Sequence, residues 1–137
     1  MRTVVYIAPF PMSATMKFAT ALASLGNVRL IGVFQGSPSP RQSRIFHRVI
    51  LVSDALSIDV LSKALLQIQS HYGRIHRILG ILEQLQDHLA LLRQRFSVSG
   101  IQPNVARNFR DKGTMKEVLV QAGVPCARYR KVNSLAE

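Results

Sequence analysis

Acidic residues are scarce in this chain. Its 137 residues include 7 Asp and Glu against 18 Lys and Arg, which gives a net charge of +11. An excess of this size favours an anionic partner, such as nucleic acid, anionic lipid or an anionic metabolite. The basic residues are scattered from Arg2 to Lys131 rather than gathered in one tail. Scattered positive charge is typical of a solvated surface, so the sequence places nucleic acid among the less favoured partners.

Cysteines and long apolar runs are also lacking. The single cysteine, Cys126, excludes an internal disulfide and fits a reducing compartment. The four histidines match no metal-binding spacing, so no metal ligand is assigned. No stretch approaches the roughly 20 apolar residues of a membrane span. The apolar run at the amino terminus contains Pro9 and Pro11 and is too short for a signal peptide, so we predict a cytoplasmic protein.

The glycine-rich phosphate-binding motifs are absent as well. Neither GxxxxGK[ST] nor GxGxxG occurs in the sequence. The first strand-to-helix turn, "APFPMSAT" at residues 8–15, carries prolines where a dinucleotide-binding turn has glycines. The sequence therefore disfavours a plain dinucleotide-binding site. It leaves this turn as either a rigid connection or a ligand-binding loop.

The hydrophobic pattern alternates between strand and helix. Short β-branched runs predict buried strands, and apolar residues at helical spacing predict helices between them. The predicted strands cover residues 3–9, 28–34, 48–54 and 77–83, and the predicted helices cover 13–26, 58–73 and 86–96. This alternation predicts an α/β fold with a doubly wound parallel sheet.

The organisation of the chain changes near residue 100. Residues 1–100 contain the complete strand and helix alternation. Residues 101–137 contain two short helical stretches and one strand-like segment at 126–132. We therefore predict one α/β domain over residues 1–100 and the beginning of a second domain over 101–137.

The segment "RDKGTMKEVLVQAGVP" predicts a helix with defined ends. Asp111 is suited to cap its first turn, and Gly123 with Pro125 ends it. One face predicted to be buried comprises Met115, Val118, Leu119 and Ala122. Lys112 lies in the first turn, where the helix dipole disfavours positive charge. A bound phosphate would reverse that sign, and a solvated lysine beside Asp111 is the alternative.

Two carboxylates follow the fourth predicted strand. Glu83 ends that strand and Asp87 comes four residues later. Ligands bind at the carboxyl edge of such sheets, so Glu83 is a candidate for a substrate cleft. The alternative is that both carboxylates complement the dipole of the following helix.

Two stretches carry a resemblance to a known family. The order of "GILEQLQ" at residues 80–86 and "GIQPNVARNFRDKGTMKEVLVQAGVPCARYR" at 100–130 resembles the junction between the pre-ATP-grasp and ATP-grasp domains. This junction occurs in biotin carboxylases, carbamoyl phosphate synthetase and related carboxylate–amine ligases. Residues 8–33 resemble the first β-α-β unit of a pre-ATP-grasp domain.

The resemblance implies a Rossmann-like pre-ATP-grasp domain with a parallel sheet over residues 1–100, followed by an incomplete start of an ATP-grasp domain. It implies that Lys112 contacts ATP phosphates. It also implies an ATP-dependent ligase that activates a carboxylate through an acyl phosphate, with ATP and magnesium as cofactors of the complete family. No catalytic residue is assigned in this chain.

The resemblance also implies that much of the nucleotide site lies outside these residues. In the family the second phosphate-binding lysine and the magnesium ligands come after the position of Pro125. We therefore expect the 137-residue chain to bind MgATP weakly or not at all and to lack catalysis alone. The expected partner is a carboxyl-terminal ATP-grasp portion or a second copy in a homodimer. A stand-alone non-catalytic α/β binding or oligomerisation module is the main alternative, and a nucleic-acid-binding protein is less favoured.

Overall fold

The computed structural model describes residues 1–130 and residue 132. The described residues form four strands and six helices, which alternate as far as the fourth helix, as the sequence predicts for an α/β fold, and the last two helices follow. In order they are β1 (Arg2–Ala8), α1 (Ser13–Ala23), β2 (Val28–Phe34), α2 (Pro40–Ser43), β3 (Arg48–Leu51), α3 (Ile58–Tyr72), β4 (Ile75–Leu79), α4 (Gln86–Arg95), α5 (Pro103–Arg110) and α6 (Lys112–Gln121). A 3₁₀ turn, Glu83–Leu85, joins β4 to α4.

The strands form one parallel sheet in the order β3-β2-β1-β4. Val5 of the central strand β1 pairs with Ile31 on one side and with Ile78 on the other. The strand order reverses direction between β1 and β4, which makes this the switch point where α/β sheets bind ligands at their carboxyl ends. The prediction of a parallel doubly wound sheet is confirmed.

Apolar side chains fill both faces of the sheet. On one face, Val5 and Ile7 of β1 join Ile31 and Val33 of β2 under α3 and α4. On the other face, Val4, Tyr6 and Ala8 pack with residues of α1 and with Phe46. Strands buried on both faces lose the polar alternation of half-exposed strands, which is why β1 and β2 are nearly continuous apolar runs in the sequence.

The structure corrects several predicted boundaries. Strand β4 ends at Leu79 rather than at Glu83, and β3 ends at Leu51. Helix α1 begins at Ser13, as predicted, but ends at Ala23 rather than at residue 26. A four-residue helix that was not among the predicted elements, α2, lies between β2 and β3, and Ser39 and Gln42 form a capping box at its start.

The carboxyl-terminal segment differs from its prediction too. The residues of 126–132 that the structure describes form no strand, because they pair with no other strand. Nor is any residue of α6 buried, although the sequence predicts a buried face on that helix. Among the residues that the structure describes, no helix has the length and apolar character needed to cross a membrane.

The buried tyrosine of β1 makes the stability of the fold depend on pH in the alkaline range. Tyr6 is 1% exposed, and its hydroxyl donates a hydrogen bond to the carbonyl oxygen of Thr15 at 2.8 Å. Burial raises the pKa of Tyr6 from 10.0 to about 12. Its neutral form is therefore favoured in the folded state, and the stability gained is fully present below about pH 10 and lost as pH rises towards about 12.

We expect the free energy of unfolding to fall by about 2–3 kcal/mol over that range in the wild-type chain. Tyr6→Phe removes the hydroxyl, so it should cost about 1 kcal/mol at neutral pH and show less of the alkaline loss. Urea unfolding of both chains at neutral and alkaline pH measures this. The same alkaline loss in both chains would show that Tyr6 does not cause it.

Candidate functional site

One aspartate defines the junction between α5 and α6. Asp111 follows the last residue of α5 and caps α6, where its Oδ1 accepts hydrogen bonds from the backbone N–H groups of Gly113 at 2.9 Å and Thr114 at 3.0 Å. The predicted cap is confirmed. Because Asp111 already accepts from these two amides, an anion at this helix start would be held mainly by side-chain cations.

Lys112 lines a cleft rich in positive charge. The cleft has a volume of about 530 Å³ and lies between the first turns of α6 and the segment at 126–130. Its lining residues are Arg110, Asp111, Lys112, Gly113, Lys116, Tyr129 and Arg130. Four cations against one carboxylate make the cleft suited to a multiply charged anion such as a polyphosphate.

Lys116 connects the two walls of this cleft. It lies one helical turn after Lys112 on the same side of α6. Its Nζ donates to the carbonyl oxygen of Ala127 at 3.4 Å and lies 5.0 Å from the ring centre of Tyr129. Lys116 was not among the predicted site residues, although its spacing of four residues from Lys112 indicates that the two lysines share one side of the helix.

Glu83 lies in a second cleft, beyond the end of β4. A cavity of about 300 Å³ lies between the start of α4 and helix α5. It is lined by Ile81, Glu83, Gln86, Ile101, Ala106, Phe109 and Arg110. The neighbouring cavity of about 750 Å³ shares Glu83 and Arg110 and adds Asp87, Arg107 and Asp111. Glu83 is therefore at the carboxyl side of the sheet, but it is reached through a 3₁₀ turn and not directly from the strand.

An ion pair joins these elements. The Nη1 of Arg110 lies 2.5 Å from the Oδ2 of Asp87, which ties α5 to α4. The Oδ1 of Asp87 is buried and accepts no hydrogen bond in the part of the chain that the structure describes. Arg110 also lines both the cleft of Glu83 and the cleft of Lys112. Arg110 and Asp111 therefore lie between the two predicted site residues, Glu83 and Lys112.

The described residues do not supply a metal centre. Within residues 1–130 and 132, no three or more His, Cys, Asp or Glu side chains are grouped so that they could hold a metal ion. The cationic cleft thus fits a polyphosphate, and no metal ligand is assigned among the described residues.

Comparison with known proteins identifies the fold. No family model matches the chain, and no curated protein matches it. Twelve chains of solved structures match it, among them the following three. An L-amino acid ligase from Bacillus licheniformis has a TM-score of 0.75 and 12% identity, over 99% of this chain and 34% of that chain. A phosphoribosylglycinamide synthetase from Anaerococcus prevotii has a TM-score of 0.71 and 13% identity, over 98% of this chain and 32% of that chain.

The third structure is glycinamide-RNase-transformylase T from Mycobacterium tuberculosis, with a TM-score of 0.69 and 16% identity, over 93% of this chain and 37% of that chain. The chain spans about a third of the length of these proteins. The fold of this chain is similar to the fold of part of each of these three proteins, which confirms the expected α/β fold class.

Proposed function

We propose that this chain is the amino-terminal part of an ATP-grasp ligase-like protein of the cytoplasm, which activates a carboxylate through an acyl phosphate. The cationic cleft at the start of α6 supports this proposal most strongly. It presents Lys112, Lys116 and Arg130 together in a fold shared with an L-amino acid ligase over 99% of the chain. Lys112 is assigned to the phosphates of ATP, and Glu83 to the substrate cleft.

The proposed reaction transfers the γ-phosphoryl group of ATP to a carboxylate oxygen, releasing ADP. An amine or another nucleophile then attacks the acyl carbon, and phosphate leaves with the carbon–oxygen bond electrons. Fixed cations stabilise the charge on the transferring group, which is the role of Lys112 and its neighbours. Magnesium, when bound, neutralises phosphate charge, but no step is assigned to it through the described residues.

The proposal predicts weak nucleotide binding by these 137 residues alone. The described cleft offers cations from α6 and the segment at 126–130, but no metal-binding cluster. Since the chain spans about a third of the similar structures, the rest of the nucleotide site is assigned to a carboxyl-terminal ATP-grasp portion. We therefore expect measurable but weak binding of MgATP and no formation of ADP.

Lys112→Ala tests the assignment. Loss of one charge-assisted contact to phosphate should raise the dissociation constant for MgATP by about tenfold. The constant is measured from the ³¹P resonances of ATP as protein is added. Lys17→Ala is the matched control, because Lys17 is an exposed lysine on α1 and its removal changes the net charge equally. Equal weakening in the two variants would contradict a phosphate contact at Lys112.

A stand-alone binding or oligomerisation module is the second candidate function. The observation that favours it is the uncovered state of α6, on which Val118 and Val120 are 40% and 58% exposed. A second copy in a homodimer would cover this helix. Sedimentation equilibrium of the wild-type chain and of Val118→Lys tests this candidate. A dimer that the substitution dissociates supports an oligomerisation module, and a monomer at all concentrations contradicts it.

A further inference from the structure

Basic side chains surround one tyrosine at the end of α3. The Cζ of Arg29 lies 5.0 Å from the ring centre of Tyr72. The rings of His47 and His71 lie 5.5 Å and 5.9 Å from the same ring. Arg48 lines a small cavity of about 30 Å³ together with His71 and Tyr72. These five residues are named the Tyr72 cluster.

The sheet topology gathers residues that are far apart in the sequence. Arg29 belongs to the start of β2, Arg48 is the first residue of β3, and Tyr72 is the last residue of α3. Strands β2 and β3 are parallel, with Ile31 opposite Arg48, so their amino-terminal ends meet at one edge. Basic residues that look scattered along the chain are therefore neighbours in the fold.

No carboxylate balances this cluster. In the described part of the chain, the two ion pairs are Arg95 with Asp59 and Arg110 with Asp87, and neither involves Arg29 or Arg48. The Nε of Arg29 is buried and has no hydrogen-bond acceptor within the described residues. The carboxyl end of α3 supplies a partial negative charge of about one half, which offsets only part of the two guanidinium charges.

The Tyr72 cluster is accessible to a ligand, and the guanidinium of Arg29 is already held against the ring of Tyr72. His47, Arg48 and His71 are exposed, while Arg29 and Tyr72 are half-buried and stack on one another. A guanidinium held against a ring loses little conformational freedom when it binds an anion, so the binding cost is small. Two guanidinium groups without an ion-paired carboxylate, flanked by two imidazoles that can donate hydrogen bonds, fit a chain of phosphates better than a single small anion.

We propose that the Tyr72 cluster binds the phosphate backbone of a nucleic acid. The cluster lies at the amino-terminal edge of the sheet, whereas Glu83 follows the carboxyl end of β4, so this site is separate from the proposed ligase site. A nucleic acid is favoured over a membrane surface because the exposed members are histidine and arginine, without the large apolar side chains that insert into lipid. The inference goes beyond the proposed function and does not depend on it.

The test is the binding of a fluorescein-labelled single-stranded oligouridylate, followed by fluorescence anisotropy over a series of salt concentrations. The double variant Arg29→Met with Arg48→Gln removes two charges and keeps the apolar stem over Tyr72. It should weaken binding by about tenfold or more and reduce the slope of log K against log salt by about two. The control is Arg41→Gln with Arg44→Gln, two exposed arginines at α2, which lowers the net charge equally.

The proposal predicts that the control changes affinity by less than about threefold, since it removes charge outside the Tyr72 cluster. Equal loss in both double variants would mean that bulk charge alone binds the RNA, and would overturn the proposal. So would the absence of salt-dependent RNA binding, or preferential binding to phosphatidylserine vesicles. If Arg29→Met does not fold, Arg48→Gln with His71→Gln replaces it, because both side chains are exposed. Lys112→Ala should leave RNA binding unchanged, which separates this result from the nucleotide assignment.

Discussion

Replacing Arg93 by alanine is expected to lower the free energy of unfolding by about 3–4 kcal/mol. Arg93 on α4 is 7% exposed, and its Nε and Nη2 both donate to the carbonyl oxygen of Ile78, at 3.0 Å and 2.9 Å. That carbonyl lies on β4, at the edge of the sheet. With alanine at position 93, the carbonyl oxygen of Ile78 would lose both hydrogen-bond donors. A cavity would also remain where the arginine side chain packs.

The chain that follows α4 encloses the side chain of Arg93. A Cβ added at Gly100, whose φ is +150°, would lie 2.7 Å from the Cδ of Arg93, so the chain after α4 closes directly over this side chain. Burial also lowers the pKa of the Arg93 guanidinium. The buried stem and the two hydrogen bonds thus act together to hold β4 against α4.

Arg95→Ala is the matched control for Arg93→Ala. It lies on the same helix, but its side chain is 57% exposed and its contact with Asp59 is 4.0 Å long. We expect a loss below about 1 kcal/mol in this variant. Chemical unfolding followed by circular dichroism measures both variants, and comparable losses would refute the assignment of a structural role to the two hydrogen bonds of Arg93.

Gly80→Ala is expected to be the second most damaging change, at about 2–3 kcal/mol. A Cβ at this position would lie 2.7 Å from the carbonyl oxygen of Ile7, an atom of the central strand that cannot move without disturbing the sheet. It would also lie 3.2 Å and 3.4 Å from the Cδ1 atoms of Leu89 and Leu85. Gly80 comes directly after β4, so the close approach also sets the path of the chain towards Glu83.

Gly26→Ala provides the comparison. No heavy atom lies within 4 Å of a Cβ at Gly26, and its φ is outside the left-handed region. This variant should be within about 1 kcal/mol of wild type, with a small gain if the unfolded chain loses entropy. Thermal unfolding of Gly80→Ala and Gly26→Ala measures the difference in stability between the two variants. If Gly80→Ala were as stable as Gly26→Ala, the close approach to Ile7 would not constrain the fold.

Local pattern was sufficient for most of the fold. Strand β2 begins and ends at the predicted residues, and α3 ends at Tyr72, before Gly73, which adopts a φ of +73°. Strand β4 was misplaced because "RILGILE" contains one unbroken apolar run, in which the end of pairing is set by the contact of Gly80 with Ile7. Gly80 and Ile7 are far apart in the sequence, so their close approach leaves no periodic pattern from which it could be predicted.

The candidate site was only partly predictable. The capping position of Asp111 and the first-turn position of Lys112 follow from local sequence rules, and the structure places both as expected. The second wall of the Lys112 cleft depends on Lys116 meeting Ala127 across the chain, which spacing within α6 does not reveal. The neighbours of Tyr72 likewise meet only through the sheet topology.

The predicted buried face of α6 was wrong for a related reason. Helical spacing of Met115, Val118, Leu119 and Ala122 indicates which side chains share a face. It does not indicate whether another element covers that face, and none of these residues is buried in the structure. In the two proposals above, the exposed helix α6 is covered either by a second copy in a homodimer or by a carboxyl-terminal ATP-grasp portion.

The most direct test of the central claim is a map of backbone amide chemical shifts as MgATP is added to ¹⁵N-labelled chain. The nucleotide assignment predicts changes concentrated at Gly113, Thr114, Lys116 and Arg130, which lie in or beside the cleft of Lys112, and their loss in Lys112→Ala. Changes centred elsewhere, for example on the Tyr72 cluster, or changes that persist in Lys112→Ala would contradict the proposal that this fold holds the phosphates of ATP at the start of α6.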